Sequence, residues 1–443
     1  MFKTLMNAFA EKGIRKKLLI TLLILLIYRI GCFIPVPGIS PTAFGTLANG
    51  NDFFGVLSNI TGGSLANGTW FALGILPYIN ASIIMQLLTL IIPPLERMSK
   101  EGEEGRRKMT QITRYMAVLL AVVQGVGITI AWYNGTNGTS AIQPIFAMDG
   151  VGNTTGMAFS MMFIIFSLVA GSCVVMWLCD LITEFGVGNG ASLIIFVGIL
   201  SGFIDGFINE MQLVVSEPQQ IWRIILYLIV VVVVFVFIIF IDLAQRNIPV
   251  QYAKQVKGNK MYGGQSTQIP IKVNASGVMP IIFASSFLMF PQLIASFWPT
   301  SGFYQWWQKW LGVGTWAYSI LLAVLILFFS YFYAKIQFNP EDISKSIQQN
   351  GGFIPGIRPG RPTAEYLNRI NNRITLFGAI FLAVIALIPG LVFRAILTTS
   401  STGTGLVSAF SATGMLIVVS VALEFNTQLE NELMMKHYRG FLK

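Results

Sequence analysis

Ten apolar segments of membrane-spanning length constrain this sequence more than any other feature. About 20 apolar residues, rising 1.5 Å each in a helix, match a hydrocarbon core about 30 Å thick. With 54% hydrophobic and 11% charged residues, the chain has too much apolar sequence for an ordinary soluble domain. The sequence therefore predicts an all-α polytopic membrane protein. The predicted segments are 18–37, 71–92, 115–133, 157–179, 190–209, 221–241, 277–298, 316–336, 374–393 and 405–424.

The positions of the basic residues predict how these segments are oriented. Of the 29 Lys and Arg residues, 25 lie in the two terminal regions and in the loops after the second, sixth and eighth segments. Loops rich in Lys and Arg stay on the cytoplasmic side of a membrane. We therefore expect both termini to be cytoplasmic, as an even number of spans requires.

Ten spans divide into two sets of five, and an odd number in each half gives the halves opposite orientations. We expect an N-terminal half at 1–209, a C-terminal half at 210–425 and a cytoplasmic tail at 426–443. Inverted halves create a central seam, which both transporters and channels use.

A polar, glycine-rich stretch at 51–70 precedes the second span, which we interpret as an apolar helix interrupted by Pro77. The stretch is too short to cross a bilayer. Irregular backbone at membrane depth must be buried in protein or line water. This arrangement suggests a pore with a small movable domain.

Two basic loops, at about 242–275 and 337–373, are more than linkers. Alternate positions from Ile248 to Val256 carry Ile, Val, Tyr, Lys and Val before Gly258 and Asn259, which predicts a β-hairpin. In the second loop, Pro and Gly fix turns around Arg358. We expect both loops to project from the membrane, although their charge is also explained by topology alone.

Candidates for chemistry are few. Cys32, Cys173 and Cys179 have no disulfide-like or ligand-like spacing and are interpreted as small buried side chains. His437 is the sole histidine, so internal triad or metal chemistry has no histidine to use. We therefore expect no catalytic residue, no metal and no cofactor. Arg29 is a charged residue inside the first span, with no partner identifiable from sequence.

Two helix faces carry candidate functional residues. Ile75, Ile79 and Gln86 fall on one narrow face of the second span, and Ile282 and Ser286 are one turn apart in the seventh. Periodicity alone favours ordinary helix packing for both sets, with Gln86 as a polar contact between helices.

Six longer strings, taken together, resemble the SecY family, the central subunit of the bacterial protein translocon. They occur in the family's order across nearly the whole chain. The strings are FIPVPGI (33–39), FALGILPYINASIIMQLLT (71–89), KEGEEGRRKMTQITRY (100–115), ITEFGVGNGASLIIF (182–196), QSTQIPIKVNASGVMPIIFASS (265–286) and FIPGIRPGRPTAEYL (353–367).

The resemblance implies a clamshell of two five-helix halves with an hourglass pore, a plug at about 52–65 and a lateral gate. Ala191 departs from the family's pattern, since many members carry a bulkier apolar residue there. By position, the implied pore ring is Ile75, Ile79, Ile195, Ile282 and Ile417, the implied gate residues are Asn80, Gln86, Asn189 and Ser286, and the implied docking residues are Arg246 and Arg358.

The function implied by the resemblance is a channel that translocates unfolded secretory polypeptides and releases transmembrane segments into the bacterial cytoplasmic membrane. The implied partners are SecE-like and SecG-like small membrane subunits, the SecA motor ATPase, the ribosome, signal sequences, nascent polypeptides and membrane lipid. A solute carrier is the main alternative, which the confinement of most acidic residues to helix ends weakens. A structural scaffold without transport is the third interpretation.

Overall fold

The computed structural model describes residues 2–39, 58, 61–134, 142, 153–216, 221–252, 255–257, 260–262, 266–274, 277, 279–296, 298, 301–312, 315–397 and 412–440. These residues form mostly helix. In chain order the helices are α1 (Phe2–Ala10), α2 (Lys12–Gly31), α3 (Leu76–Ile91), α4 (Pro93–Lys100), α5 (Glu103–Asn134), α6 (Asn153–Phe185), α7 (Gly190–Ser216), α8 (Ile221–Asp242), α9 (Met279–Ser296), α10 (Gly302–Leu311), α11 (Trp316–Gln337), α12 (Pro340–Gln349), α13 (Arg361–Leu397) and α14 (Ala412–Gly440). The strands are β1 (Gln245–Tyr252), β2 (Gln255–Lys257), β3 (Lys260–Tyr262), β4 (Ser266–Lys272) and β5 (Gly352–Phe353).

Each of the ten predicted segments overlaps a helix, namely α2, α3, α5 to α9, α11, α13 and α14. Within the described residues, four helices are by themselves long and apolar enough to cross a membrane, and the pair α3 and α4 makes a fifth if it counts as one bent span. Shorter apolar stretches belong to α7, α8 and α9. The polytopic helical class is confirmed.

The second predicted span begins later than expected. Residues 71–75 form turns and α3 starts only at Leu76, so Pro77 lies in the first turn of the helix. The interpretation that Pro77 interrupts a helix was wrong. Proline lacks an N–H, but the first turn needs no N–H donor, and the fixed φ of proline suits that position.

A sharp corner follows α3. Ile92 is extended, with φ −102° and ψ 107°, and α4 continues from Pro93 at a bend of 108°. The ring of a proline disfavours helical geometry at the residue before it, so the Ile92-Pro93 sequence helps to explain where the corner falls.

The largest hydrophobic core joins helices from both predicted halves: α2, α3, α6, α7, α8, α9, α11, α13 and α14. Contacts between helices link early and late parts of the chain. Helices α3 and α5 touch α9, while α7 touches α14. The division at residue 209 itself stays a prediction.

The two basic loops fold together as one small unit. Strand β1 pairs antiparallel with β4, opposing Arg246 to Ile271, and β2 pairs with β3 as the hairpin tip, so the predicted hairpin is confirmed. The second loop contributes β5, which pairs with the other edge of β1 and gives the order β4-β1-β5. We call strands β1, β4 and β5 with helix α12 the loop unit.

The loop unit has its own hydrophobic core. Ile248 and Val250 of β1 are 2% and 1% exposed, and they pack with Ile347 of α12 and Leu367 of α13. Helix α12 and strand β5 were not predicted from the sequence. A shared core explains why two loops about 65 residues apart form a single structure.

Candidate functional site

A central cavity of about 1220 Å³ opens between helices of both predicted halves. Three of the predicted ring residues, Ile195, Ile282 and Ile417, line it from α7, α9 and α14. Gln86, a predicted gate residue, lines it from α3. The structure therefore brings residues from four distant parts of the sequence to one cavity.

The five predicted ring residues share one hydrophobic cluster. Ile75, Ile79, Ile195 and Ile417 are 4 to 8% exposed, and the partly buried Ile282 packs against them. Ile75 and Ile79 are not among the described residues that line the cavity, but they belong to the same hydrophobic cluster as Ile195 and Ile417.

Ala191, where the resemblance implies a bulkier residue in many members, packs partly buried against the same cluster. Its methyl group occupies less volume than a branched side chain. The predicted ring therefore has a smaller contact on the α7 side.

Gln86 has a hydrogen-bond partner that was not predicted from the sequence. Its side-chain oxygen accepts a hydrogen bond from the hydroxyl of Tyr333 in α11, and both residues line the cavity. The Tyr333 ring lies 4.9 Å from the Phe283 ring of α9, centroid to centroid. The bond spans 247 residues, and nothing in the local sequence around Tyr333 signals it.

The other predicted gate residues lie in different settings. Asn80 is half-buried in α3, and Ser286 is buried in α9, which contacts α3. Asn189 is exposed at the start of α7, where its side-chain oxygen accepts the Ala191 N–H at 3.0 Å as a helix cap. Asn189 is not among the described residues around the central cavity.

Arg29 contacts the end of the glycine-rich stretch. Its guanidinium Nη1 donates to the Gly62 carbonyl at 2.9 Å, and its Cζ lies 4.9 Å from the centre of the Phe33 ring. A charge inside an apolar span is costly unless it has such partners. The acceptor is a backbone carbonyl. Every residue has one, so the sequence does not reveal this partner of Arg29.

Gly62 also approaches α7 closely. A Cβ atom added at Gly62 would lie 2.9 Å from the backbone of Gly198, and the φ of +67° favours glycine. The adjoining Ser64 and Leu65 are 0% and 1% exposed. Of the predicted plug, 52–57, 59 and 60 lie outside the described residues.

The two predicted docking arginines lie on or beside the loop unit. Arg246 is exposed on β1, and Arg358 is exposed in the turn between β5 and α13. The Arg358 carbonyl accepts the Thr363 hydroxyl at 2.8 Å, and the Ser344 hydroxyl of α12 donates to Gly360 at 2.7 Å. These bonds fix the turn that presents Arg358.

Comparison with known proteins decides the family. The family model of SecY matches residues 69–426, which is most of the chain. The chain belongs to the SecY family. It is 41% identical over 456 residues to the protein translocase subunit SecY of Streptomyces galbus, and the match covers the full length of both chains.

Solved structures show the same fold. One is a SecY channel whose plug domain is described as stabilising the closed state and maintaining a membrane seal, with TM-score 0.63 and 19% identity. Another is Sec61 in the canine ribosome-channel complex, with TM-score 0.62 and 20% identity. Each match covers 95% of this chain and 93% of the other.

The family match confirms the resemblance noted in the sequence. SecY-family proteins are channel subunits of protein translocases and not enzymes, so this chain is a membrane-embedded translocase subunit. The roles of individual residues stay predictions.

Proposed function

We propose that unfolded secretory polypeptides cross the bacterial cytoplasmic membrane through the central cavity, and that transmembrane segments leave it sideways into lipid. One observation carries this proposal: Ile195, Ile282 and Ile417 meet at one cavity beside Gln86, between helices of both halves. In this proposal, each of these residues lies along the path of the translocating polypeptide.

The ring seals the resting channel because an apolar constriction dewets. Isoleucine side chains make only van der Waals contacts across the ring. They can part around an extended chain and close again without breaking hydrogen bonds. Ile75, Ile79, Ile195, Ile282 and Ile417 form this ring.

The plug is the stretch at about 52–65. The buried Ser64 and Leu65, and the bond from Arg29 to Gly62, support a closed position for the end of this stretch. The similar solved SecY channel has a plug domain that is described as maintaining a membrane seal.

The lateral gate lies where α3 and α5 meet α9. Asn80, Gln86, Asn189 and Ser286 are the proposed gate residues. Polar groups among apolar side chains leave a seam less tightly sealed than an all-apolar one, whereas a hydrogen bond across it, such as that from Tyr333 to Gln86, opposes opening. An arriving signal helix tips the equilibrium towards the open state by binding that state better. A segment then leaves for lipid or crosses according to its hydrophobicity, since a charged residue at mid-helix costs about 2.5–3.5 kcal/mol.

The energy for translocation comes from a partner. Arg246 and Arg358 are the docking residues for the SecA motor ATPase or the ribosome, and guanidinium groups suit both carboxylate and phosphate partners. The similar canine Sec61 structure comes from a ribosome-channel complex, which supports the ribosome as a partner. SecE-like and SecG-like subunits complete the assembly in the membrane.

The orientation has both termini and the loop unit in the cytoplasm. The distribution of 25 of 29 Lys and Arg residues supports it. Loops on that side are the ones that reach the ribosome and the motor.

Crosslinking tests the proposed path. A photoreactive residue replaces Ile282, which lines the cavity, or Val233, which is 60% exposed on α8. A secretory chain stalled during translocation should crosslink at position 282 and not at 233. Equal or absent crosslinking at both positions would favour the solute-carrier or scaffold interpretation.

A further inference from the structure

Asp242 links helix α8, the segment that follows β4 and helix α14. It is the last residue of α8, and its carboxylate accepts two hydrogen bonds of 2.6 Å. Asn274, which follows β4, donates one through Nδ2, and Ser420 of α14 donates the other through its hydroxyl. Both donors are buried, at 7% and 8% exposure.

The orientation of Asn274 is dictated by Asp242. The other side-chain atom of Asn274, Oδ1, is buried and has no hydrogen-bond partner among the described atoms. An unpaired buried acceptor is unfavourable, whereas a bond to a carboxylate is among the strong hydrogen bonds of proteins. The strong bond to Asp242 is therefore what holds this amide in place.

The backbone beside Asn274 is anchored to the membrane helices. The Val273 N–H donates to the Ala244 carbonyl at 2.9 Å. Gly378 of α13 approaches so closely that an added Cβ would lie 2.4 Å from the Val273 carbonyl oxygen. The end of β4 is thus bonded to the segment that follows α8 and packs against α13, and its link to α14 runs through Asn274, Asp242 and Ser420.

Ser420 and the ring residue Ile417 are three residues apart in α14, on adjoining turns of one face. At the other end of the link, Asp242 precedes the docking residue Arg246 by four residues. Asp242, Asn274, Ser420 and Ile417 all line the central cavity. One carboxylate therefore bridges the base of the loop unit and the helix that carries part of the ring.

We propose that Asp242 is a positioning residue that couples partner docking on the loop unit to the position of α14 at the pore ring. The inference rests on the proposed function, because it gives the docking surface an effect on the ring. When a partner shifts β1 and β4, the two hydrogen bonds carry that shift to Ser420 and hence to Ile417.

The test measures exposure of the cavity with and without a docked partner. In a channel complex in which Cys32, Cys173 and Cys179 are replaced, Val421→Cys provides a reporter that lines the cavity and leaves the ring intact. Empty ribosomes are the probe, and a water-soluble maleimide reports the modification rate. Ribosome binding should change this rate by about fivefold or more, the lower end of coupling between linked sites.

Asp242→Ala and Ser420→Ala should abolish that change while leaving the ribosome dissociation constant unaltered. Thr427→Val is the matched control, because Thr427 lines the same cavity on α14 and its hydroxyl donates to the Leu423 carbonyl of its own helix. It should keep the full change. Ser420→Ala removes one bond and no charge, so it tests the link even if Asp242→Ala fails to fold.

Three results would overturn the coupling role. In the first, ribosome binding leaves the modification rate unchanged in the channel with Asp242 and Ser420 intact. In the second, the change in rate persists in Ser420→Ala. In the third, both variants lose ribosome affinity, which would make Asp242 a structural support for the docking surface. None of these affects crosslinking of a stalled chain at position 282. Failure of the coupling and failure of the proposed path are therefore distinguishable.

Discussion

The predicted pore ring and the loop unit are held together by different kinds of contact. The predicted ring residues, from α3 and the turn before it, α7, α9 and α14, share one cluster of apolar contacts. The loop unit joins β1, β4 and β5 by backbone hydrogen bonds around a small core of its own. Side-chain contacts can separate and re-form cheaply, whereas strand pairing keeps one shape. The proposed seal can therefore deform, whereas the proposed docking surface keeps one shape.

The largest expected effect comes from removing a core side chain of the loop unit. Ile248→Ala should destabilise the unit by about 2–5 kcal/mol, because it deletes a buried side chain and leaves a cavity. Hydrogen exchange of the β1 and β4 amides should accelerate, while ion leak through the resting channel stays at its normal level. A matched change at the exposed Phe353 of β5, Phe353→Ala, should have a much smaller effect. Increased leak in Ile248→Ala would contradict the separation of the two regions.

Charge reversal at the docking turn should affect activity and leave stability unchanged. Arg358→Glu should slow partner-driven translocation by roughly 30-fold, the effect of losing an interface contact of about 2 kcal/mol. Translocation of a radiolabelled precursor into membrane vesicles measures this. Arg361→Glu makes the same charge change three residues later, at a side chain 91% exposed and paired with Glu365. Equal loss in both variants would indicate a net-charge effect rather than docking by Arg358.

A polar group in the ring should weaken the seal. Ile282→Asn places an amide among apolar side chains, and an unsatisfied buried amide costs about 1–3 kcal/mol. The closed state should be destabilised, which raises ion conductance in planar bilayers and relaxes the requirement for a strongly apolar signal sequence. Ile282→Leu keeps the site apolar and should behave normally. Unchanged ion conductance and unchanged signal-sequence specificity in Ile282→Asn would indicate that Ile282 is an ordinary packing residue.

The smallest effect is expected at the bond between Tyr333 and Gln86. Tyr333→Phe removes the hydroxyl but keeps the ring against Phe283, so it should favour gate opening by about 0.5–1.5 kcal/mol, the net value of one hydrogen bond. Export of a precursor with a shortened signal sequence should rise accordingly. Tyr318→Phe, in the same helix, is the matched control.

Combining Tyr333→Phe with Gln86→Leu tests whether the two groups act as a pair. If the bond is the cause, the second change should add little to the first. Fully additive effects would show that the residues influence the gate independently.

The sequence predicts some of these features well and others not at all. The ten apolar segments are recognisable because spanning a bilayer requires a continuous apolar run, and the hairpin is recognisable from its alternation. Pairing of β5 with β1 depends on residues about 100 positions apart, and the partners of Gln86 and Arg29 are similarly distant or are backbone atoms. Such contacts leave no local pattern. The ring residues shared a helix face with many packing residues, so only the family resemblance distinguished them.

The corner at Ile92 makes α4 a lever arm. Because α4 leaves the axis of α3 at 108°, a rotation of α3 about its own axis swings α4 sideways instead of spinning it in place. Eight residues of helix extend about 12 Å, so a rotation of roughly 10° moves the far end by about 2 Å. A small rotation of α3, which carries Gln86, therefore produces a larger displacement at Ser99. A distance probe attached at Ser99 can measure that displacement without altering the gate residues.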